Sequence, residues 1–115
     1  MQKRNFLTAL AGVGLVAISG LAQAQDNSFK VGLILPMSGP FAATGKQLES
    51  AARLYMAQNG DTVAGRKLVL IVKDDTGSPE VTKRIAQELV VNDKVNVLAG
   101  FGLTPLALAT APIAT

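Results

Sequence analysis

The chain has no cysteine, no histidine and no tryptophan, and aromatic residues make up only 4% of it. Without cysteine there is no disulfide to close a loop, so packing of the core has to hold the fold together. Without cysteine and histidine the usual metal ligands and most nucleophile–base pairs are missing. Excess charge is scarce as well. The 11 basic residues stand against 8 acidic ones, and two of the basic residues, Lys3 and Arg4, lie at the extreme N-terminus. The remaining 9 and 8 nearly cancel, to +1. They are scattered, with no stripe of arginine and aromatics, so the sequence carries no footprint of a nucleic-acid partner.

What the sequence does have begins at its start. Met1-Gln2-Lys3-Arg4 is a short cationic opening, followed by an uncharged run from Asn5 to Gln25. Leu7, Leu10, Val13, Leu15, Val16, Ile18 and Leu21 supply its apolar content, and it closes on Ala22-Gln23-Ala24. Small residues at −3 and −1 are what signal peptidase accepts. Residues 1–24 are therefore expected to be a secretory signal peptide, cleaved between Ala24 and Gln25. A membrane anchor is the competing reading, because the run is nearly long enough to span a bilayer. Its richness in Ala and Gly and the cleavage pattern at its end argue against that. No Cys follows the small residues, which speaks against a lipid anchor. The expected product is exported and periplasmic. It consists of residues 25–115, or 91 residues once 24 leave the 115, and that is small for a single core. The chain stops at Pro112-Ile113-Ala114-Thr115 within an apolar, helix-like pattern, and reads as a fragment of a longer protein.

Phe29–Leu35 is almost continuously apolar after Lys30 and predicts a strand buried on both faces, as in a parallel sheet. Pro36-Met37-Ser38-Gly39-Pro40 is a loop. From about Phe41 to Gln58 the period is helical, with Leu48, Ala51, Ala52 and Tyr55 on one face, and Asn59-Gly60 ends it. Asp61–Lys67 reads as a surface connection. Leu68–Val72 is a second buried strand. Ser78 as N-cap, Pro79 and Glu80 start a second helix that runs to about Asn92, with Val81, Ile85, Ala86, Leu89 and Val90 inward. Glu80 is placed to pair with Lys83 or Arg84. Val95–Gly100 is a third strand, and Pro105 opens a third helix. The order β-α-β-α-β-α predicts an α/β fold: a parallel sheet with right-handed crossovers and helices on both faces. With strand order 2-1-3, ligands bind beyond the carboxyl ends of the strands where the order reverses. Two loops face that crevice, Pro36–Gly45 and Gly100–Pro105.

Three motifs fail on context. Asp75-Thr76-Gly77 matches the aspartic-protease triplet, but stands alone between a strand and a helix and reads as a turn. Gly39 to Gly45-Lys46 has one residue too many for a phosphate loop, and Gln47 follows the lysine. Gly100-x-Gly102 has Pro105 where a dinucleotide fingerprint needs its third glycine. No cofactor is implied. Gly100–Pro105 reads better as a shelf for a small ligand. Its two glycines admit close approach of the backbone, and Thr104 offers a hydroxyl and an N–H at a helix N-terminus, where a carboxylate is favoured. An ordinary strand-to-helix turn with Thr104 as N-cap is an equal alternative. Ser38 and Phe41 would line the opposite wall, although Phe41 fits a core staple equally well.

Phe29–Leu35 followed by Pro36-Met37-Ser38-Gly39-Pro40-Phe41-Ala42-Ala43-Thr44-Gly45 resembles the start of the leucine/isoleucine/valine-binding type of periplasmic substrate-binding protein. So do Val72-Lys73-Asp74-Asp75 with Ser78-Pro79, and Gly100 to Thr104 with its helix. The resemblance covers the whole mature chain. It implies the type I periplasmic-binding-protein fold, of which only the first part of the N-terminal lobe is present. It also implies hinge closure of two lobes on a branched-chain amino acid or a related small carboxylate, aromatic acids included, delivery to the membrane permease of an ABC importer, and a monomer at full length. In that family the loop after the third strand holds the ligand's carboxylate. That role falls here on Thr104, with Phe101, Gly102 and Leu103 beside it, while Ser38, Phe41 and Thr44 shape the first-lobe wall. Thr44 stands where an aromatic residue often lines the pocket. Gly77 and Leu103 occupy the positions of a disulfide in enteric amino-acid binders. Both departures weaken the case for leucine-type specificity, and relatives with similar loops take up aromatic or other carboxylates. A ligand-sensing domain of the same fold in a signalling protein is the alternative function. An exported hydrolase is a remoter one, since no nucleophile has a base at a telling spacing.

Overall fold

The computed structural model describes residues 26–115, so the expected signal peptide and its expected Ala24–Gln25 junction lie outside the described residues. Seven elements follow in order: β1 (Ser28–Leu35), α1 (Ala42–Asn59), β2 (Thr62–Val63), β3 (Arg66–Asp74), α2 (Pro79–Val91), β4 (Val97–Gly100) and α3 (Thr104–Ala114). A single 3-10 turn, Gly39–Phe41, leads into α1. The sheet runs β2-β3-β1-β4. β1 is central and parallel to both neighbours, with Leu33 opposite Val72 on one side and Ala99 on the other. The expected 2-1-3 order of parallel strands therefore stands. Right-handed crossovers that leave β1 towards β3 and return from β3 to β4 put α1 on one face of the sheet and α2 on the other.

The purely parallel sheet needs correcting. Asp61–Lys67, expected to be a plain connection, folds into a tight hairpin. β2 runs antiparallel to the start of β3, pairing Val63 with Arg66 across Ala64-Gly65, both at positive φ. Two residues of a two-stranded hairpin leave no alternation to read, which is why the pattern hid it.

The core lies between β1 and α2. Ile34, Ile85, Ala86 and Leu89 are buried together, with Ile71, Val81, Val95, Leu98, Phe101 and Ile113 packed against them. The expected inner face of α2 is thus confirmed at its centre, while Val90 is 37% exposed. α3 lies against α2 on the same side. The inner face expected for α1 is not buried: Leu48 is 47% and Tyr55 67% exposed. What anchors α1 is its first turn, where Gly45 is buried. Ser78 does occupy the N-cap of α2, but its hydroxyl donates to Glu80 Oε2 at 2.9 Å instead of capping an N–H. Glu80 thereby takes Ser78, and not Lys83 or Arg84, as its hydrogen-bond partner. The lysine that bridges elements is Lys73 of β3, 2.8 Å from Glu88 of α2.

Candidate functional site

The carboxyl ends of β1, β3 and β4 open into three loops, and Pro36 is where they meet. A Cβ on Gly102 would come 2.8 Å from Cγ of the Pro36 ring. A Cβ on Gly45 would strike the Pro36 carbonyl oxygen. These two glycines let the β4 loop and the first turn of α1 close on one buried proline. The free space at Gly102 is thus used by a neighbouring loop, which corrects the expectation that its missing side chain serves ligand approach. The two loops expected to lie side by side do meet, at Pro36.

The β3 end supplies the fastening. Strand alternation sends Asp74 and Asp75 to opposite faces. Asp74 Oδ1 accepts the N–H of Met37 and of Thr76, both at 2.9 Å. Burial is the strongest single influence on this carboxyl and pushes it up. The Ser38 hydroxyl and the amides of Thr76, Met37 and Ser38 together outweigh burial and hold it below the usual aspartate range. Asp75 is fully buried. Its Oδ1 accepts the Gly77 N–H at 2.8 Å, and its own N–H donates to Leu35 O at 3.0 Å. The Asp-Thr-Gly triplet is accordingly a turn, as its context indicated.

The β4 side is a helix N-terminus. Leu103 is the N-cap of α3 and makes no side-chain cap bond, with Thr104 and Pro105 in the first turn. The N–H groups of Leu106 and Ala107 return to Leu103 O. Among the described residues, the N–H groups of Gly102, Leu103 and Thr104 and the Thr104 hydroxyl have no acceptor. Exposed amides and the positive end of the helix dipole converge there, which favours an anion.

The other candidate residues separate. Ser38, Phe41 and Thr44 are exposed on the first loop and the first turn of α1. Phe41 is 47% exposed and buries no staple contact deep in the core. Thr104 and Gly102 are exposed and Leu103 half-buried on the facing loop. Phe101 stands apart: its half-buried ring packs on the Ile34–Leu89 cluster, at a φ of 65°. Asp74 was missed by sequence reasoning. Its signal was an acidic pair at a strand end followed by Thr-Gly, an arrangement that makes Asx turns. A separate cleft of about 230 Å³, of mixed polar and apolar lining that includes Val90, Val95, Asn96, Leu98, Ile113 and Thr115, lies by the amino end of β4, away from these loops. Among the described residues no cluster of acidic side chains could hold a metal ion, and no helix is long and apolar enough to cross a membrane.

A family model described as periplasmic binding protein matches residues 28–115. The chain belongs to the periplasmic binding protein family. It is 41% identical over 113 residues to the Leu/Ile/Val-binding protein homolog 6 of Brucella abortus, covering 97% of this chain and 28% of the relative. Two solved solute-binding proteins of ABC transporters, both from Rhodopseudomonas palustris, superpose on it. One, from strain BisB5 and in complex with 3,4-dihydroxybenzoic acid, is 63% identical, with a TM-score of 0.76 over 77% of this chain and 24% of its own. The other, from strain HaA2 and in complex with p-hydroxybenzoic acid, is 40% identical, with a TM-score of 0.71 over 75% of this chain and 24% of its own. The chain thus spans about a quarter of the length of these periplasmic binding proteins. It carries the three-loop edge of one lobe.

Proposed function

We propose that the chain is the first part of the solute-binding component of an ABC importer, and that its solute is a small aromatic carboxylate of the hydroxybenzoate kind. The observation that carries this reading is the row of amides without acceptors at the start of α3, Gly102 to Thr104, on the loop that meets the first loop, with its exposed Phe41, at Pro36. Such a site offers donors for a carboxylate and an aromatic face for a flat ring. The 63% identity to a 3,4-dihydroxybenzoate-binding protein supports the aromatic solute. Thr44, polar and exposed at the first turn of α1, fits a solute that bears hydroxyls. Branched-chain amino acids are the second reading, favoured by the Leu/Ile/Val-binding relative.

In this account Thr104, with the amides of Leu103 and Gly102, holds the carboxylate, while Ser38, Phe41 and Thr44 form the opposing wall. A second lobe closes over the solute, binding shifts the population to the closed form, and the permease recognises that form. Residues 1–24 direct export and are cleaved after Ala24, which places the mature protein in the periplasm. The test is calorimetry on a protein of the relatives' full length. Thr104→Ala should weaken hydroxybenzoate binding by about 1–3 kcal/mol, the cost of leaving a charged acceptor unmet. An unchanged affinity would remove Thr104 from the site.

A further inference from the structure

The exposed residues of the first loop make few bonds within the loop itself. The Ser38 N-cap makes no side-chain cap bond to the 3-10 turn it precedes, and Ser38, Gly39, Pro40 and Phe41 are all exposed. What ties this segment down beyond Pro36 is the carboxylate of Asp74 on the neighbouring strand, 37 residues away in sequence. One oxygen receives amides from both sides of the crevice floor, Met37 from the first loop and Thr76 from the β3 loop. Thr76 holds a positive φ of 53° in that turn, a conformation a β-branched residue adopts only when its surroundings require it. A carboxylate beside an anion site would ordinarily repel the solute. Here its charge is directed into main-chain donors and the Ser38 hydroxyl.

We propose that Asp74 is a positioning residue of the binding site: it touches no solute, but by clasping Met37 and Thr76 it sets the first loop, and with it Ser38 and Phe41, at the distance from the α3 N-terminus that the solute requires. This rests on the reading of the crevice as a solute site for its effect on affinity, though not for its effect on the loop. The clasp needs an acceptor oxygen at Oδ1 and not a charge, so the two functions of a carboxylate can be separated by substitution. Asp74→Asn keeps an amide oxygen able to accept both N–H groups, whereas Asp74→Ala keeps none.

The experiment is made on the full-length protein, with hydrogen exchange of the solute-free form and titration with 4-hydroxybenzoate and 3,4-dihydroxybenzoate. Asp74→Ala should lose protection at the Met37 and Thr76 amides and bind about tenfold more weakly, the effect of one lost clasp. Asp74→Asn should keep the protection and bind within about threefold of the parent, since a neutral acceptor preserves most of the geometry. The midpoint of thermal unfolding separates a general loss of structure from this local effect, and the Asn variant guards against misfolding of the Ala variant. Equal amide protection in Asp74→Ala and the parent overturns the proposal, whether or not the protein binds these acids. So does equal weakening in both variants, which would make the charge the working part. If the parent binds neither acid, the functional reading fails, and the exchange result still decides the clasp.

Discussion

At the scale of single residues, the site is built on contacts that leave no room for a methyl group. Gly102 abuts the Pro36 ring at 2.8 Å from where a Cβ would be, and a proline ring cannot rotate away. Gly102→Ala should therefore push the β4 loop from the first loop and cost about 1–3 kcal/mol in stability, as overpacking does. Urea unfolding of the variant measures it, and a midpoint equal to the parent's would show that the two loops are not in contact. Leu89, fully buried against Ile34 and Ile85, is the opposite case. Leu89→Ala should cost about 2–5 kcal/mol by leaving a cavity, with little effect on solute affinity, which a paired unfolding and binding measurement would separate.

Among the elements, the bridge from β3 to α2 makes stability depend on pH. The hydrogen bond from Lys73 is the main reason that Glu88 is held below its ordinary range, and the same bond raises Lys73. A lowered carboxyl contributes stability that is present above its ordinary value and lost as pH falls through its lowered one. A raised lysine contributes below its ordinary value and loses it as pH rises through the raised one. Asp74 acts with Glu88 on the acid side. Glu88→Gln should flatten the fall in unfolding midpoint between about pH 5 and pH 2, and a slope equal to the parent's would deny the bridge any role. The elements also show how much was legible beforehand. β1 and α2 announced themselves, one as an apolar run and the other by Ser78-Pro79-Glu80 and a helical stripe. The parallel pairing followed from short connections between alternating strands and helices, whereas the 2-1-3 order was assumed and is supplied by the structure. The β2 hairpin did not follow, because two residues carry no period. α1 has an apolar stripe in sequence, yet Leu48, Leu54 and Tyr55 lie 47%, 57% and 67% exposed in the described residues, since periodicity reports which face is apolar and not what covers it. Of the proposed site, Thr104 and Ser38 were named from loop chemistry, and the structure places both exposed on loops at the carboxyl end of the sheet. Of Asp74 only the local half was readable, the Asx turn to Thr76; its bond to the Met37 amide was not, because that partner is a backbone group 37 residues away in the chain.

For the whole molecule, the three-loop edge is proposed as one wall of a two-lobed site. The chain supplies about a quarter of the length of its relatives, and the account gives the rest of the grip to a second lobe. The solute proposed for this edge is a small aromatic carboxylate. The most direct measurement is the thermal unfolding midpoint of the full-length mature protein against a panel of leucine, isoleucine, valine, alanine, benzoate, 4-hydroxybenzoate and 3,4-dihydroxybenzoate. A solute bound only to the folded state raises its stability in proportion to the logarithm of its concentration over Kd. The account predicts a rise that grows with concentration for the hydroxybenzoates and is small or absent for the aliphatic amino acids. A rise with leucine, isoleucine or valine and none with the aromatic acids would contradict it.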